Sequence, residues 1–319
     1  MGSRYSCALV TGGAGFIGSH IVDRLLRENL YVKVIDNLST GRLDNIKTHL
    51  DNKNFLFVKG DIRDGETVRK ALRGIDVVFH EAAFIGGPQS VERPMFTNAV
   101  NVDGTMNLLE TSREFEIKRF VLASSASVYG EQKVMPVKEN VALHPSSPYA
   151  VSKMATELYA EFYYKTFGLE TVCLRYFNVY GPRQACGPYA AAITAFVDSL
   201  LHEKPPIIYG DGEQTRDFIN VKDVVEANML AANEKCAGEI FNVASGSRVT
   251  VNGLMKILQV VMDKNHVKPS YAGQRQSDVY HSCGDITKAR EILRFEPKVT
   301  MRQGLMELVD YYKLFPHDA

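Results

Sequence analysis

The chain has 319 residues, 45% of them hydrophobic, enough to bury a sizeable core in one large domain or two closely joined ones. Its 37 Lys+Arg balance 37 Asp+Glu with no basic run, which argues against a nucleic-acid partner and against attraction to an anionic membrane. No apolar run approaches the ~20 residues of a transmembrane helix. The five cysteines (Cys7, Cys173, Cys186, Cys236, Cys283) are widely spaced without a CxxC, so a disulfide framework or structural zinc site is not expected and a reducing cytoplasm fits best.

In chain order, the first half alternates strand-like apolar runs with helical periodicity. CALVT (7–11), YVKVID (31–36), FLFVKGD (55–61), DVVFH (76–80), RFVLASS (119–125) and TVCLRYF (171–177) read as strands. Residues 15–27, 67–72, 98–115 and 148–167 between them carry helical spacing. This alternation predicts an α/β fold, a doubly wound parallel sheet of Rossmann type with helices on both faces. After Asn178 the pattern changes to Gly/Pro-rich stretches such as NVYGPRQACGP and EKPPIIYGDGEQTRDF. Helices are expected there near 189–202, 221–233, 251–263 and 301–313, forming a smaller mixed α/β part packed closely on the first.

The first strand runs into TGGAGFIGSH, which opens the first helix. Gly13, Gly15 and Gly18 read as GxGxxG; Gly12, Gly15 and Gly18 read equally as GxxGxxG. Glycines in a strand–turn–helix unit let the backbone approach a pyrophosphate at a helix N-terminus, where free N–H groups and the dipole favour negative charge. Asp36 ends the second strand about 20 residues on, where a carboxylate would accept hydrogen bonds from ribose hydroxyls and repel a 2′-phosphate. NAD is therefore expected over NADP. The alternative for Asp36 is that DNLSTG is a plain turn and the acid caps a helix over 43–50. Asp61, ending the third strand, could meet the adenine ring.

In SPYAVSK, Ser147 serves as N-cap and Pro148 as the first helical residue, which places Tyr149 and Lys153 one turn apart on one face. An ammonium about 4 Å from a phenol is worth about 4 kcal/mol at an effective dielectric of ~20. That is about three pKa units, enough to bring a phenol toward neutrality and make Tyr149 a general base. An exposed helix pair is the ordinary alternative. LASSASVYG, upstream at the carboxyl end of the fifth strand, offers Ser125 to the same substrate hydroxyl, because open parallel sheets bind ligands at that edge.

TGGAGFIGSH, DNLSTG, GDIRD, SSASVYG, SPYAVSK, LRYFNVYGPRQ, YGDGEQTRDFINVKDVVEA and FNVASG stand in this order along nearly the whole chain. Together they resemble the extended short-chain dehydrogenase/reductase family, and within it the NAD-dependent nucleotide-sugar 4-epimerases. The resemblance implies a catalytic group of Ser125, Tyr149 and Lys153. Tyr149 would take the proton of the sugar 4-hydroxyl during hydride transfer, and the 4-keto sugar would then turn over. For the cofactor it implies Gly12, Gly15, Phe16, Ile17, Gly18, Asp36, Asn37, Ser39, Thr40, Gly41, Asp61, Ile62, Ala82, Ala83, Asn101, Tyr149, Lys153 and Tyr176. For a UDP-sugar it implies Ser125, Ser127, Asn178, Arg216, Arg275, Asp278 and Ser282. Residues 1–177 would form the NAD-binding domain, with segments near 214–245 returning to it, and 178–319 the nucleotide-sugar domain.

Related dehydratases and decarboxylases carry an acid close after the active-site Ser/Thr, whereas Ser125 is followed by Ala126, Ser127 and Val128. The family pattern therefore favours epimerisation. Ser282 stands where a tyrosine restricts some members to hexoses without an N-acetyl group. Ala185 stands where uronate-specific members tend to have Arg. HEAAFIGGPQSV has an acidic Glu81 and an unusual IGG where members of the family vary, which leaves the sugar-facing loop at 85–89 the least transferable part. A degenerate, non-catalytic dinucleotide sensor would usually lose the tyrosine or the lysine, and both are present. The helices over 98–115 and 148–167 are expected to pair with their copies in a homodimer.

Overall fold

The computed structural model describes residues 4–185, 192–273 and 279–315. Strand β1 (Cys7–Thr11) leads through the glycine turn into helix α1 (Phe16–Arg27), which buries Ile21, Val22 and Leu25 in one stripe. β2 (Tyr31–Asp36) lies parallel beside β1, and β3 (Phe55–Lys59) beside β2. Between those two strands, Leu43–Asn45 and Lys47–His49 make two short 3-10 turns in place of the helix considered over 43–50. α2 (Gly65–Leu72) is capped by the Asp64 carboxylate, which accepts from Glu66 N–H. β4 (Val77–His80) returns to the other side of β1.

The chain then makes two short helices, α3 (Gly87–Glu92) and α4 (Pro94–Asn98), followed by a π turn over Ala99–Asp103 and by α5 (Gly104–Glu114). The spacing over 98–115 predicts one continuous helix. The backbone stays helical from α4 into α5, with Asn98, Ala99 and Gly104 all in the right-handed region, but the turn at 99–103 is widened: Thr105 Oγ1 donates to the Asn101 carbonyl, and the Asn101 amide bonds to Phe84 and Ser152. Such competition for the ladder carbonyls is what widens a helical turn. α3 escapes the sequence reading because GGPQS looks like a loop.

β5 (Arg119–Ser125), α6 (Pro148–Phe167) and β6 (Thr171–Tyr176) follow. α6 is N-capped by Ser147, has Pro148 in its first turn, and ends on Gly168 in the left-handed conformation, so its start and stop are written in the sequence.

The remaining elements are β7 (Asn178–Tyr180), α7 (Ala192–Leu201), β8 (Ile207–Tyr209), β9 (Thr215–Arg216), β10 (Phe218–Asn220), α8 (Val221–Asn233) and β11 (Ile240–Val243). β12 (Val249–Thr250), α9 (Val251–Met262), β13 (Ser270–Ala272) and α10 (Met301–Leu314) complete the chain. Among the described residues the main sheet has seven strands in the order β3-β2-β1-β4-β5-β6-β11, every pair parallel. β11 joins it beside β6, with Ile240 opposite Cys173, and α8 packs on α1, β5 and β6.

One apolar layer lies between the sheet and α1 and α8, holding Val10, Val121, Leu174, Ile21 and Val224. A second lies against α2, α5 and α6 with Leu9, Leu122, Leu108 and Tyr163. A third, with Phe196, Leu254, Leu258 and Leu305, joins α7, α9 and α10. At ~1.5–3 kcal/mol for each fully buried aliphatic or aromatic side chain, these layers hold the sheet rigid. Strand order reverses between β1 and β4, and the carboxyl ends of β1, β4, β5 and β6 open onto that crevice, where doubly wound sheets bind ligands.

Candidate active site

The turn after β1 is built by Gly12, Gly15 and Gly18. Gly12 has φ +66°, Gly15 N–H donates to the Gly12 carbonyl at 2.9 Å, and a Cβ on Gly18 would stand 2.3 Å from that same oxygen. Gly13 serves another purpose, since a Cβ there would strike both Val34 methyls at 2.7 Å. Of the two glycine readings, GxxGxxG therefore describes the turn. Phe16 and Ile17 form the first turn of α1, whose N-cap, Gly15, brings no side-chain cap and leaves the leading N–H groups to a ligand. Gly18→Ala should cost about 1–3 kcal/mol of stability by overpacking and weaken retention of the cofactor. Cofactor content of the purified variant, measured by absorbance after denaturation, checks this.

Asp36 is 8% exposed and accepts Ala14 N–H at 3.0 Å and Leu38 N–H at 2.8 Å. Burial pushes its carboxyl up, against the pull of those two donors. It caps neither of the turns that follow. A Cβ on Gly41 would lie 2.8 Å from both carboxylate oxygens, so glycine keeps the approach to Asp36 open. Asn37 donates to Asp61 at 2.9 Å and accepts from Ser39 N–H, and Thr40 is exposed. Asp61 is gripped in a two-pronged pair by Arg63, at 2.9 and 2.8 Å, which holds its carboxyl well below the usual range. The neighbouring Ile62 is buried against Gly104.

Ala82 N–H donates to Thr11 Oγ1 at 3.1 Å, and Ala83 follows it at the edge of the crevice. From Thr11 a line of contacts runs toward α6. Thr11 Oγ1 meets His80 Nδ1 at 2.7 Å, His80 Nε2 meets Thr105 Oγ1 at 2.8 Å, and Thr105 donates to the Asn101 carbonyl. Asn101 Nδ2 donates to Ser152 Oγ at 2.9 Å, and Ser152 donates to the Tyr149 carbonyl at 2.7 Å. Burial takes His80 down to about 3, so it stays neutral in this line. The Asn101 side chain is thus engaged by Phe84 and Ser152, and its place in this structure is to fix α6.

Ser125 accepts Ser127 N–H at 3.1 Å, and its hydroxyl lies beside the Tyr149 phenol, where it acts to lower the phenol's pKa. Lys153 is 5% exposed and its Nζ donates to the Ala123 carbonyl at 2.8 Å. Here the sequence expectation needs correcting: the phenol of Tyr149 is pushed up, by burial first and by the charge of Glu81, with the Ser125 hydrogen bond opposing both. One turn of helix does set Tyr149 and Lys153 on one face. The lysine stem, however, runs inward to β5, where its ammonium finds a carbonyl, while the phenol stays with Ser125. Burial lowers Lys153 to about 8.

A cavity of about 850 Å³ opens over this group and is lined by Ser125, Ser127, Tyr149, Tyr176, Asn178, Arg216 and Ser282. Ser127 Oγ is buried there without a hydrogen-bond partner in the protein. Asn178 and Arg216 also line a second cavity of about 380 Å³, together with Phe196, Tyr209, Gln214 and Phe218. Asn178 Nδ2 donates to the Asp217 carbonyl, and Arg216 Nη1 to the carbonyls of Thr215 and Tyr280. Arg275 and Asp278 lie outside the described residues. Sequence reasoning named Glu81 as a departure without assigning it a place; the structure sets its carboxylate 2.8 Å from the Tyr176 hydroxyl. Gly87 and Pro88, within the loop at 85–89 that the sequence reading took as sugar-facing, line the cavity, and so do Val91 and Glu92 further along α3, which it did not name. Among the described residues no group of His, Cys, Asp and Glu could hold a metal ion, and no helix is long and apolar enough to cross a membrane.

A doubly wound sheet with a glycine turn after β1 and an acid ending β2, and with Ser125 and Tyr149 lining a cavity at its carboxyl edge, is the frame of a dinucleotide-dependent enzyme. The chain belongs to the GDP-mannose 4,6 dehydratase family of extended short-chain dehydrogenase/reductases, whose model matches residues 9–308. It is similar to the UDP-glucose 4-epimerase of Thermotoga maritima, solved with UDP-glucose (40% identity, 97% of this chain and 99% of that one, TM-score 0.92). It is likewise similar to the UDP-N-acetylglucosamine 4-epimerase of Methanobrevibacter ruminantium, solved with UDP-N-acetylmuramic acid (39%, 98% and 99%, TM-score 0.93). The UDP-glucose 4-epimerase of Mycolicibacterium smegmatis is 37% identical over 96% of this chain and 98% of its own length. Relatives also include a UDP-glucuronate 4-epimerase and UDP-glucuronic acid decarboxylases, and solved neighbours with NAD include a UDP-glucose 4-epimerase and a dTDP-glucose 4,6-dehydratase. The chain is thus an enzyme of the NAD-dependent nucleotide-sugar epimerase and dehydratase group.

Proposed function

We propose that this enzyme interconverts UDP-hexoses by inversion at C4, acting on UDP-glucose and UDP-galactose and on the corresponding N-acetylhexosamines. The observation that carries the reading is that Ser125 and Tyr149 line one cavity in which the two residues directly after Ser125 are Ala126 and Ser127, neither of them a carboxylate. Elimination of water or loss of carbon dioxide needs a further acid or base beside the reacting carbons; inversion needs one group that takes a proton and gives it back.

The residues present fit NAD. The glycine turn, too tight for any Cβ, ends on Gly15, which leaves the leading N–H groups of α1 without a side-chain cap, and Asp36 has lone pairs left for ribose hydroxyls at a place that disfavours a 2′-phosphate. NAD, when bound, supplies reversible hydride acceptance at the sugar carbon and a positive charge. Lys153 holds the ribose next to the reacting end, and Tyr149 takes the proton of the 4-hydroxyl and returns it after the 4-keto sugar has turned. Ser125 orients the hydroxyl. Asn178 and Arg216, shared by both cavities, suit the diphosphate, since a guanidinium matches phosphate oxygens, and the Phe196–Tyr209–Phe218 end suits the base. On this reading residues 1–177 with the return near 214–245 hold NAD, and 178–319 hold the UDP-sugar. α6 exposes Leu158, Tyr159 and Phe162, a face suited to a second copy.

Incubation with UDP-glucose and UDP-N-acetylglucosamine together, without added NAD, tests the reading by NMR. Both galacto epimers should appear; a stable keto sugar, released carbon dioxide or no change even with NAD supplied overturns it. Ser282 lines the cavity and is fixed by its N–H to the Thr215 carbonyl at 3.1 Å. Ser282→Tyr should therefore lower the rate on the N-acetylated sugar roughly tenfold or more relative to UDP-glucose, read as the ratio of initial rates in the same mixture.

A further inference from the structure

Two glycines lead into α3, and their surroundings differ. Gly86 has φ +102°, in the left-handed region, and a Cβ on it would stand 2.8 Å from Gln89 Oε1, so the backbone itself requires glycine there. Gly87 lies outside that region, and among the described residues no atom beyond its chain neighbours comes within 4 Å of where its Cβ would be. The space beside it belongs to the cavity over Ser125 and Tyr149, which Gly87 borders. Val91 borders the same cavity, since residues i and i+4 of a helix share a face. It is 62% exposed, although α3 packs on α6, the helix that carries Tyr149. Pro88, Met135, Val137 and Val279 line this cavity as well. Sugar hydroxyls gain nothing from such side chains; hydrocarbon does, because contact removes apolar surface of both from water.

We propose that Gly87 and Val91 shape an apolar alcove of the sugar site, and that it takes the hydrocarbon of an N-acyl group longer than acetyl. UDP-hexosamines carrying such groups are then ligands of this enzyme. Gly87 is the specificity-determining position, because a side chain there occupies the space the acyl chain needs. The proposal rests on the nucleotide-sugar reading of the cavity. Ser282, the position assigned to admitting an N-acetyl group, lines the same cavity, so an acyl chain is the hydrocarbon that such a sugar brings in.

Dissociation constants measured by calorimetry on purified Tyr149→Phe, with its cofactor, test the alcove without turnover. The ligands are UDP-glucose and the N-acetyl, N-propanoyl and N-butanoyl forms of UDP-glucosamine. Each added methylene should tighten binding by about two- to fourfold. With Gly87→Val added, the series should reverse and binding should weaken by about tenfold from acetyl to butanoyl, while UDP-glucose stays within about twofold. Gly87→Ala should fall between the two, and it decides the matter if the valine variant does not fold. Strain from a side chain placed before Pro88 would weaken every ligand alike, so the dependence on chain length is the diagnostic. Affinity that falls with each methylene while glycine is present overturns the alcove, and so does a series that residue 87 leaves unchanged. If the wild type epimerises no UDP-hexose yet the series responds to residue 87, the reaction reading fails and the alcove stands. If UDP-glucose itself does not bind, the nucleotide-sugar reading falls and takes the alcove with it.

Discussion

Tyr149→Phe lowers UDP-hexose turnover by about 10²–10⁴-fold, the usual worth of a positioned acid–base group, while NAD content and the unfolding midpoint stay near those of the wild type. Tyr149 and Ser125 line the cavity together, and the Ser125 hydroxyl keeps its contact to Ser127 N–H when the phenol oxygen is removed. The backbone of Tyr149 stays tied to Ser152 whichever ring is present. Initial rates by NMR and cofactor absorbance on the same preparation check both halves. Turnover unchanged within a factor of a few removes Tyr149 from the chemistry.

Glu157→Ala should cost about 3–5 kcal/mol of folding stability, the penalty for stripping a buried charge of its partner. Glu157 and Arg175 are each 3% exposed, and the guanidinium also donates to the Tyr129 hydroxyl and the Glu139 carbonyl. Without the carboxylate, Arg175 keeps its charge in a place water does not reach, and Ser124, one residue before Ser125, loses its acceptor. The expected signature is a lower urea midpoint with an unchanged m-value. An unfolding free energy within about 0.5 kcal/mol of wild type would show that the pair is not stabilising.

Much of this architecture is legible in the residues because its signals are local. α6 announces itself through a serine cap, a proline and a terminal glycine, and the β1–α1 turn through three glycines whose Cβ positions are occupied by backbone. What escaped depends on distance in space. β11 is four residues with no alternation, and it becomes a strand because β6 leaves an open edge beside it. The π turn at 99–103 depends on Phe84 and Ser152, residues from other elements. The direction of Lys153 was missed for the same reason, since helical spacing gives the face but not the carbonyl of Ala123 that the ammonium selects. Glu81 could be marked as unusual from sequence alone; its partner, Tyr176, lies 95 residues further along the chain.

The line of contacts from Thr11 through His80, Thr105, Asn101 and Ser152 to Tyr149 has a mechanical consequence. It couples the end of β1, beside the glycine turn, to the backbone of Tyr149, through side chains that are nearly all sealed from water. A frame so braced holds the proton-transfer atom and the crevice at a fixed separation. On the proposed 4-epimerase reading, two opposite faces of one sugar ring must meet the same two atoms, and this braced scaffold gives those atoms little room to change sides. The ring has to be the moving part, carried on a diphosphate gripped well away from it, much as a key turns in a lock whose pins stay still.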